Sequence, residues 1–103
     1  MKTQHEKLMG DPEYRRIYAI EGLVADAAEL VARLMAEAGV TKAELARRLS
    51  KSRAYITQLL GGSANMTLRT LAEVSYALGA EVKLDAKSHA ATPARRHLRR
   101  GTR

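Results

Sequence analysis

The chain of 103 residues has the length of one small domain, and with 46% hydrophobic residues it has the material for one core. Phe, Trp and Cys are absent and the four aromatics are all Tyr, which favours aliphatic helix packing over a β-sandwich and excludes disulfides and thiolate metal sites, while His5, His89 and His97 are too scattered for zinc. The net charge of +7 points to a polyanionic partner, nucleic acid before a membrane surface, and no stretch reaches the roughly 18 uninterrupted apolar residues of a membrane span.

Residues 1–10 are polar without an apolar repeat and read as a frayed end. They hold no secretory h-region, so a soluble cytoplasmic protein is expected. Asp11-Pro12-Glu13 then supplies a cap, a proline at the first helical position and an acid in the first turn, a strong helix start. Apolar residues follow at Ile17, Ile20, Val24, Ala27, Val31, Leu34 or Met35 and Ala38, steps of three and four that make one stripe ending at Gly39. Gly22 inside this run leaves two readings open, one long helix or a break into two.

Thr41 with Glu44 three residues on has the form of a capping box and opens a helix from Lys42 to Leu49, with Leu45, Ala46 and Leu49 turned inward. Ser50-Lys51-Ser52 interrupts it, and Ser52 caps a further helix from Arg53 to Leu60 that stops at Gly61-Gly62. After a polar loop Thr67 caps a helix from Leu68 to Leu78, with Leu71, Val74, Ala77 and Leu78 inward and Gly79 as its stop. Residues 81–85, EVKLD, alternate polar and apolar as a short strand does. The spacing thus predicts an all-α bundle of four to five helices with a short C-terminal strand, over residues 11–85. Residues 86–103 cannot bury apolar surface and read as a disordered basic tail.

Charge is unevenly spread along this framework. Lys87, Arg95, Arg96, Arg99, Arg100 and Arg103 lie beyond Asp85, with no acid among them. Between Thr41 and Ala72 stand Lys42, Arg47, Arg48, Lys51, Arg53 and Arg69 against the single acid Glu44, whereas residues 12–38 are acidic on balance. A basic face set apart from an acidic one is the footprint of a polyanion ligand.

The segment TKAELARRLSKSRAYITQLLGG, residues 41–62, resembles the helix-turn-helix of the lambda-repressor-like (Cro/CI, XRE) family, and the resemblance runs on through NMTLRTLAEVSYALGAEV. Thr41, Lys42, Leu45, Ala46, Ser52 and Ile56 occupy the family's capping, polar, core and anchoring places. The resemblance implies a lambda-repressor-like bundle whose second motif helix enters the major groove. At 100° per residue Arg53, Ala54, Thr57 and Gln58 share an arc of about 140° on that helix, apart from Ile56 and Leu59. Arg pairs bidentately with guanine and Gln with adenine, and Ala and Thr methyls suit thymine, so these four are the expected base readers. By the family pattern Lys42 contacts phosphate, with Asn65, Thr67 and Arg69 after the recognition helix, and the cap Ser52 joins this phosphate-facing set. Tyr55 has two readings, a hydroxyl on phosphate or a ring packed against the preceding helix. Arg47 and Arg48 are expected to be solvated. The sequence departs from the family at Ser50, in place of the turn glycine, which argues against a left-handed residue there, and at Leu60, an apolar residue where a polar one is usual.

The long acidic helix before the motif and the NMTLRTLAEVSYALGAEVKL ending look like HigA-type antitoxins. The resemblance implies a transcriptional repressor that binds double-stranded DNA at a palindromic operator as a homodimer and, as an antitoxin, also binds a cognate toxin. Val82 and Leu84 are expected at the dimer seam, pairing across the two-fold axis. A stand-alone XRE-family or phage-type repressor is the alternative, and an RNA-binding protein, which would want more aromatics for stacking, a weaker one. No catalytic cluster, phosphate loop, metal site or cofactor motif is visible, so no enzymatic activity is expected.

Overall fold

Side-chain caps set the start of each helix in the computed structural model, which describes residues 2–62 and 66–88. The helices are α1 (Gln4–Leu8), α2 (Pro12–Ala38), α3 (Lys42–Leu49), α4 (Arg53–Gly61) and α5 (Leu68–Ala77). Thr3, Asp11, Thr41, Ser52 and Thr67 each accept a hydrogen bond from a backbone N–H of the first turn. Gly39 and Gly62 close α2 and α4 with left-handed backbone at φ 69° and 72°.

α2, α3, α4 and α5 enclose one core. Val31 and Met35 of α2, Leu45 and Ala46 of α3, Ile56 and Leu59 of α4, and Val74 with Leu78 at the end of α5 form a single buried cluster. Leu45, Ile56, Val31 and Val74 are its largest fully buried side chains, all aliphatic. α3 packs on α4 and α5, and α2 spans the other side of α4 and α5. Ser75 is buried too, and its hydroxyl donates to the Leu71 carbonyl at 2.6 Å, which satisfies it inside the core.

Several expectations are corrected. The end read as frayed contains α1, because Thr3 and Glu6 form a complete capping box. Of the two readings left open at Gly22, the single long helix is the one found, α2 running unbroken through that position. The stripe on α2 is fully buried only at Val31 and Met35 and half-buried at Val24, Ala27 and Leu34, whereas Ile17, Ile20 and Ala38 are exposed; Ala28, outside the stripe, is buried too. Residues 81–88 form no strand. Beyond Ala80 no backbone-to-backbone hydrogen bond is made among the described residues, since a lone extended segment has no second strand beside it. Val82 is half-buried and Leu84 is exposed. No helix among the described residues is long and apolar enough to cross a membrane.

Candidate nucleic-acid interface

The turn between α3 and α4 is built on Ser50. Its backbone lies at φ 56° and ψ 44°, left-handed, and its N–H donates to the carbonyls of Ala46 and Arg47. The absence of glycine does not prevent the conformation, as the sequence departure had suggested. Ser52 returns the chain to an extended conformation, and its hydroxyl oxygen accepts from the Tyr55 N–H at 3.0 Å. Ser50 as cap and Ser52 as starter therefore fix how α4 leaves α3, while Ile56 and Leu59 tie its inner face to the core.

With that face anchored, Arg53, Ala54, Thr57 and Gln58 are all exposed on the other. Among the described residues the side chains of Arg53, Thr57 and Gln58 make no hydrogen bond or ion pair, so their donors and acceptors are uncommitted. A guanidinium and a carboxamide presented in this way are chemically suited to base edges.

The phosphate candidates are spread over three helix starts. Lys42 is the first residue of α3, half-buried and without an acidic partner among the described residues. Ser52 has its oxygen engaged with the Tyr55 amide and retains its own O–H for donation. Thr67 caps α5 by accepting from the Thr70 N–H at 3.0 Å and donates its hydroxyl proton to Thr70 Oγ1 at 2.9 Å. Arg69, one residue into that helix, is exposed. Asn65 lies outside the described residues, as do residues 89–103 of the basic tail.

The Tyr55 side chain is half-buried against the core cluster. Lys51 Nζ sits 5.2 Å from the centre of its ring, a cation–π distance. Lys51 thus stands beside the Ser52 cap as a further cation near the start of α4, which the family pattern did not single out. Position was the available signal, since Lys51 immediately precedes the cap. Leu60 is half-buried and packs against the core, so this departure from the family pattern widens the core.

Arg47 and Arg48 are not simply solvated. Both donate to the Glu44 carboxylate, Arg47 Nε at 3.0 Å and Arg48 Nε at 3.0 Å. Arg48 also donates through Nη1 to the Ala77 carbonyl at 2.8 Å, fastening α3 to the end of α5. Glu44 receives the first half of the capping box, its N–H donating to Thr41 Oγ1 at 3.1 Å, while its carboxylate turns to the two arginines instead of reaching back. These hydrogen bonds, from Arg47 first and Arg48 second, hold the Glu44 carboxyl down to about 2. Two of the basic residues between Thr41 and Ala72 are thereby committed within the fold, which leaves Lys42, Lys51, Arg53 and Arg69 as its outward cations.

A family model described as a helix-turn-helix domain matches residues 26–86, so α1 and the first turns of α2 precede the matched region. No match was found among curated proteins or solved structures.

Proposed function

The chain belongs to the helix-turn-helix domain family, and on that premise we propose that it is a sequence-specific DNA-binding transcriptional repressor, the antitoxin of a type II toxin–antitoxin pair that represses its own operon and binds a toxin. The observation that carries the DNA-binding part is the outer face of α4, where Arg53, Ala54, Thr57 and Gln58 are exposed together on a helix whose inner face is locked into the core. Lys42, Ser52 and Arg69, with Lys51, flank it as phosphate contacts. One short helix reads too few bases for specificity, so the protein acts in the bacterial cytoplasm as a homodimer on a palindromic operator, with Val82 and Leu84 in the dimer contact. Its role is binding and not catalysis. The antitoxin part is supported by the layout, a long acidic helix ahead of the motif and the NMTLRTLAEVSYALGAEVKL ending.

Quantitative binding to selected operator DNA and to random duplex tests the reading. Arg53→Ala and Gln58→Ala should each lose about 1–3 kcal/mol on the operator and relax preference at one base position, with random DNA hardly affected. Lys42→Ala should weaken both alike and reduce the salt slope by about one. Equal loss on operator and random DNA for Arg53→Ala would refute the assignment of base reading to α4, and preference for single-stranded RNA would refute the function. Co-purification with the product of an adjoining reading frame, and neutralisation of its toxicity, tests the antitoxin part.

A further inference from the structure

The first turns of α2 carry apolar side chains that nothing in the described chain covers. Ile17 is 46% exposed, Ile20 48% and Leu23 71%, although the same helix is buried at Ala28, Val31 and Met35. From Pro12 to Leu23 the helix runs for about 18 Å at 1.5 Å per residue, ahead of the matched family domain. α1 does not shield these residues. His5 lies against Tyr14 and Tyr18, with ring centroids 5.8 and 4.8 Å apart. At 100° per residue those tyrosines occupy the side of α2 opposite Ile20 and Leu23.

Continuous with this projecting arm, and sharing Leu23 with it, is a recess of about 350 Å³ lined by Val24, Ala27, Leu30, Leu68 and Leu84, with Val82 in its wall. Leu68 and Leu84 are themselves largely exposed. A convex apolar arm and a concave apolar recess therefore adjoin on one chain, the condition under which a two-fold axis makes a surface complementary to itself. The charges agree with an antiparallel arrangement. Arg15 stands on the arm without an acidic partner among the described residues, whereas Arg16 is paired with Glu13; Asp26 and Asp85 border the recess without an ion pair among the described residues, and Lys83, which also lines it, is paired with Glu81. The chain's own last residues are a poor filling for the recess, because Leu98 is the single large apolar residue after Ser88.

We propose that a second copy of the chain covers this face: the two α2 helices cross antiparallel near Ile20 and Leu23, and each arm seats Ile17 and Ile20 in the recess of the other copy. Arg15 of one protomer then approaches the aspartates at the rim of the other copy's recess. This deepens the homodimer reading of the function above and rests on it, with Val82 and Leu84 serving as wall of the recess in place of a paired strand.

Sedimentation of the full chain at micromolar concentration, with and without operator DNA, gives the reference. Ile20→Glu and Leu23→Glu alter exposed positions, so helix content and thermal transition should be kept while the dimer dissociation constant rises more than tenfold. Because the chain has no cysteine, a cross-link supplies a second measurement. Ile17 and Ala27 are about 15 Å apart along one helix, far beyond the roughly 7 Å between Cα atoms that a disulfide spans, so I17C/A27C can be joined only between copies. Oxidation should convert the double variant to covalent dimer and leave I17C alone monomeric. Covalent dimer from I17C alone would mean parallel helices and overturn the arrangement. A dimer indifferent to both glutamates and not cross-linked by I17C/A27C would overturn this inference and leave the homodimer reading standing on another seam. A wild-type chain monomeric with and without DNA would overturn both, including the case in which a different protein occupies the recess.

Discussion

Replacing Ser50 by glycine should make the domain more stable. Ser50 holds φ 56°, the one positive φ on a non-glycine among the described residues, and its hydroxyl forms no hydrogen bond there that the substitution would remove. A left-handed L-residue costs about 1–2 kcal/mol in clash between Cβ and backbone, which glycine avoids. Glycine also gains freedom in the unfolded chain, an opposing effect of about 0.5–1 kcal/mol. The difference is a stabilisation of about 0.5–1 kcal/mol, since the turn keeps its Ser50 N–H donations to Ala46 and Arg47. For a domain of this size that is a rise in Tm of roughly 2–8 °C. Thermal unfolding followed by circular dichroism, with Ser50→Ala as control, is the assay. Alanine keeps the Cβ and should stay near wild type. A glycine variant no more stable than wild type would show that the turn is not strained, and that the reasoning from φ is wrong.

Glu44 gives a pH-dependent test. Its carboxyl is held at about 2, against 4.5 ordinarily, so the folded state binds its proton less readily than the unfolded state does. The stability this contributes is complete above pH 4.5 and is lost as pH falls from there toward 2. The difference in stability between wild type and Glu44→Gln should therefore shrink across that window and shrink with added salt, as the pairs are largely solvent-exposed; a difference constant from pH 6 to 2 would contradict it. Ile56→Ala opens a cavity at a fully buried site shared by α2, α3 and α4 and should cost about 2–5 kcal/mol in urea unfolding, a loss below 1 kcal/mol meaning that the core is not packed as described. A version ending at Ser88 lacks five arginines. Its slope of log affinity against log salt should flatten by about 0.9 per phosphate given up, roughly 2.7 to 4.5 for three to five of them, on operator and random DNA alike; an unchanged slope would leave the tail without a role in binding.

The helix-turn-helix was readable because its signals are local. Thr41, Ser52 and Thr67 cap at the places their hydroxyls predicted, and the apolar spacing places Leu45, Ala46, Ile56 and Leu59 in the core. What was misread depends on tertiary neighbours or on competition between partners. EVKLD has strand periodicity, but periodicity does not supply a second strand. Ile17 and Ile20 belong to the same stripe as Val31, yet the chain ends its core before reaching them. Glu44 had a backbone amide and two guanidiniums to choose from, and the charged donors won. The Arg48 bond to the Ala77 carbonyl joins residues 29 apart, a distance over which no sequence pattern speaks. Thr3 and Glu6 were the exception, a capping box spelled out in an end dismissed for its polarity.

The placement of the tyrosines decides what light can report about this protein. With no tryptophan, all intrinsic fluorescence comes from Tyr14, Tyr18, Tyr55 and Tyr76, and none of the four belongs to the buried cluster. Tyr14 and Tyr18 sit on the arm beside His5, Tyr55 at the start of α4 under Lys51, and Tyr76 on the open surface of α5 at 85% exposure. Emission intensity and quencher access at Tyr14 and Tyr18 thus report on the arm, while Tyr55, packed against the core, responds to the recognition helix and to core melting together. Single Tyr→Phe replacements would separate the optical signal of the arm from that of the recognition helix without adding a dye.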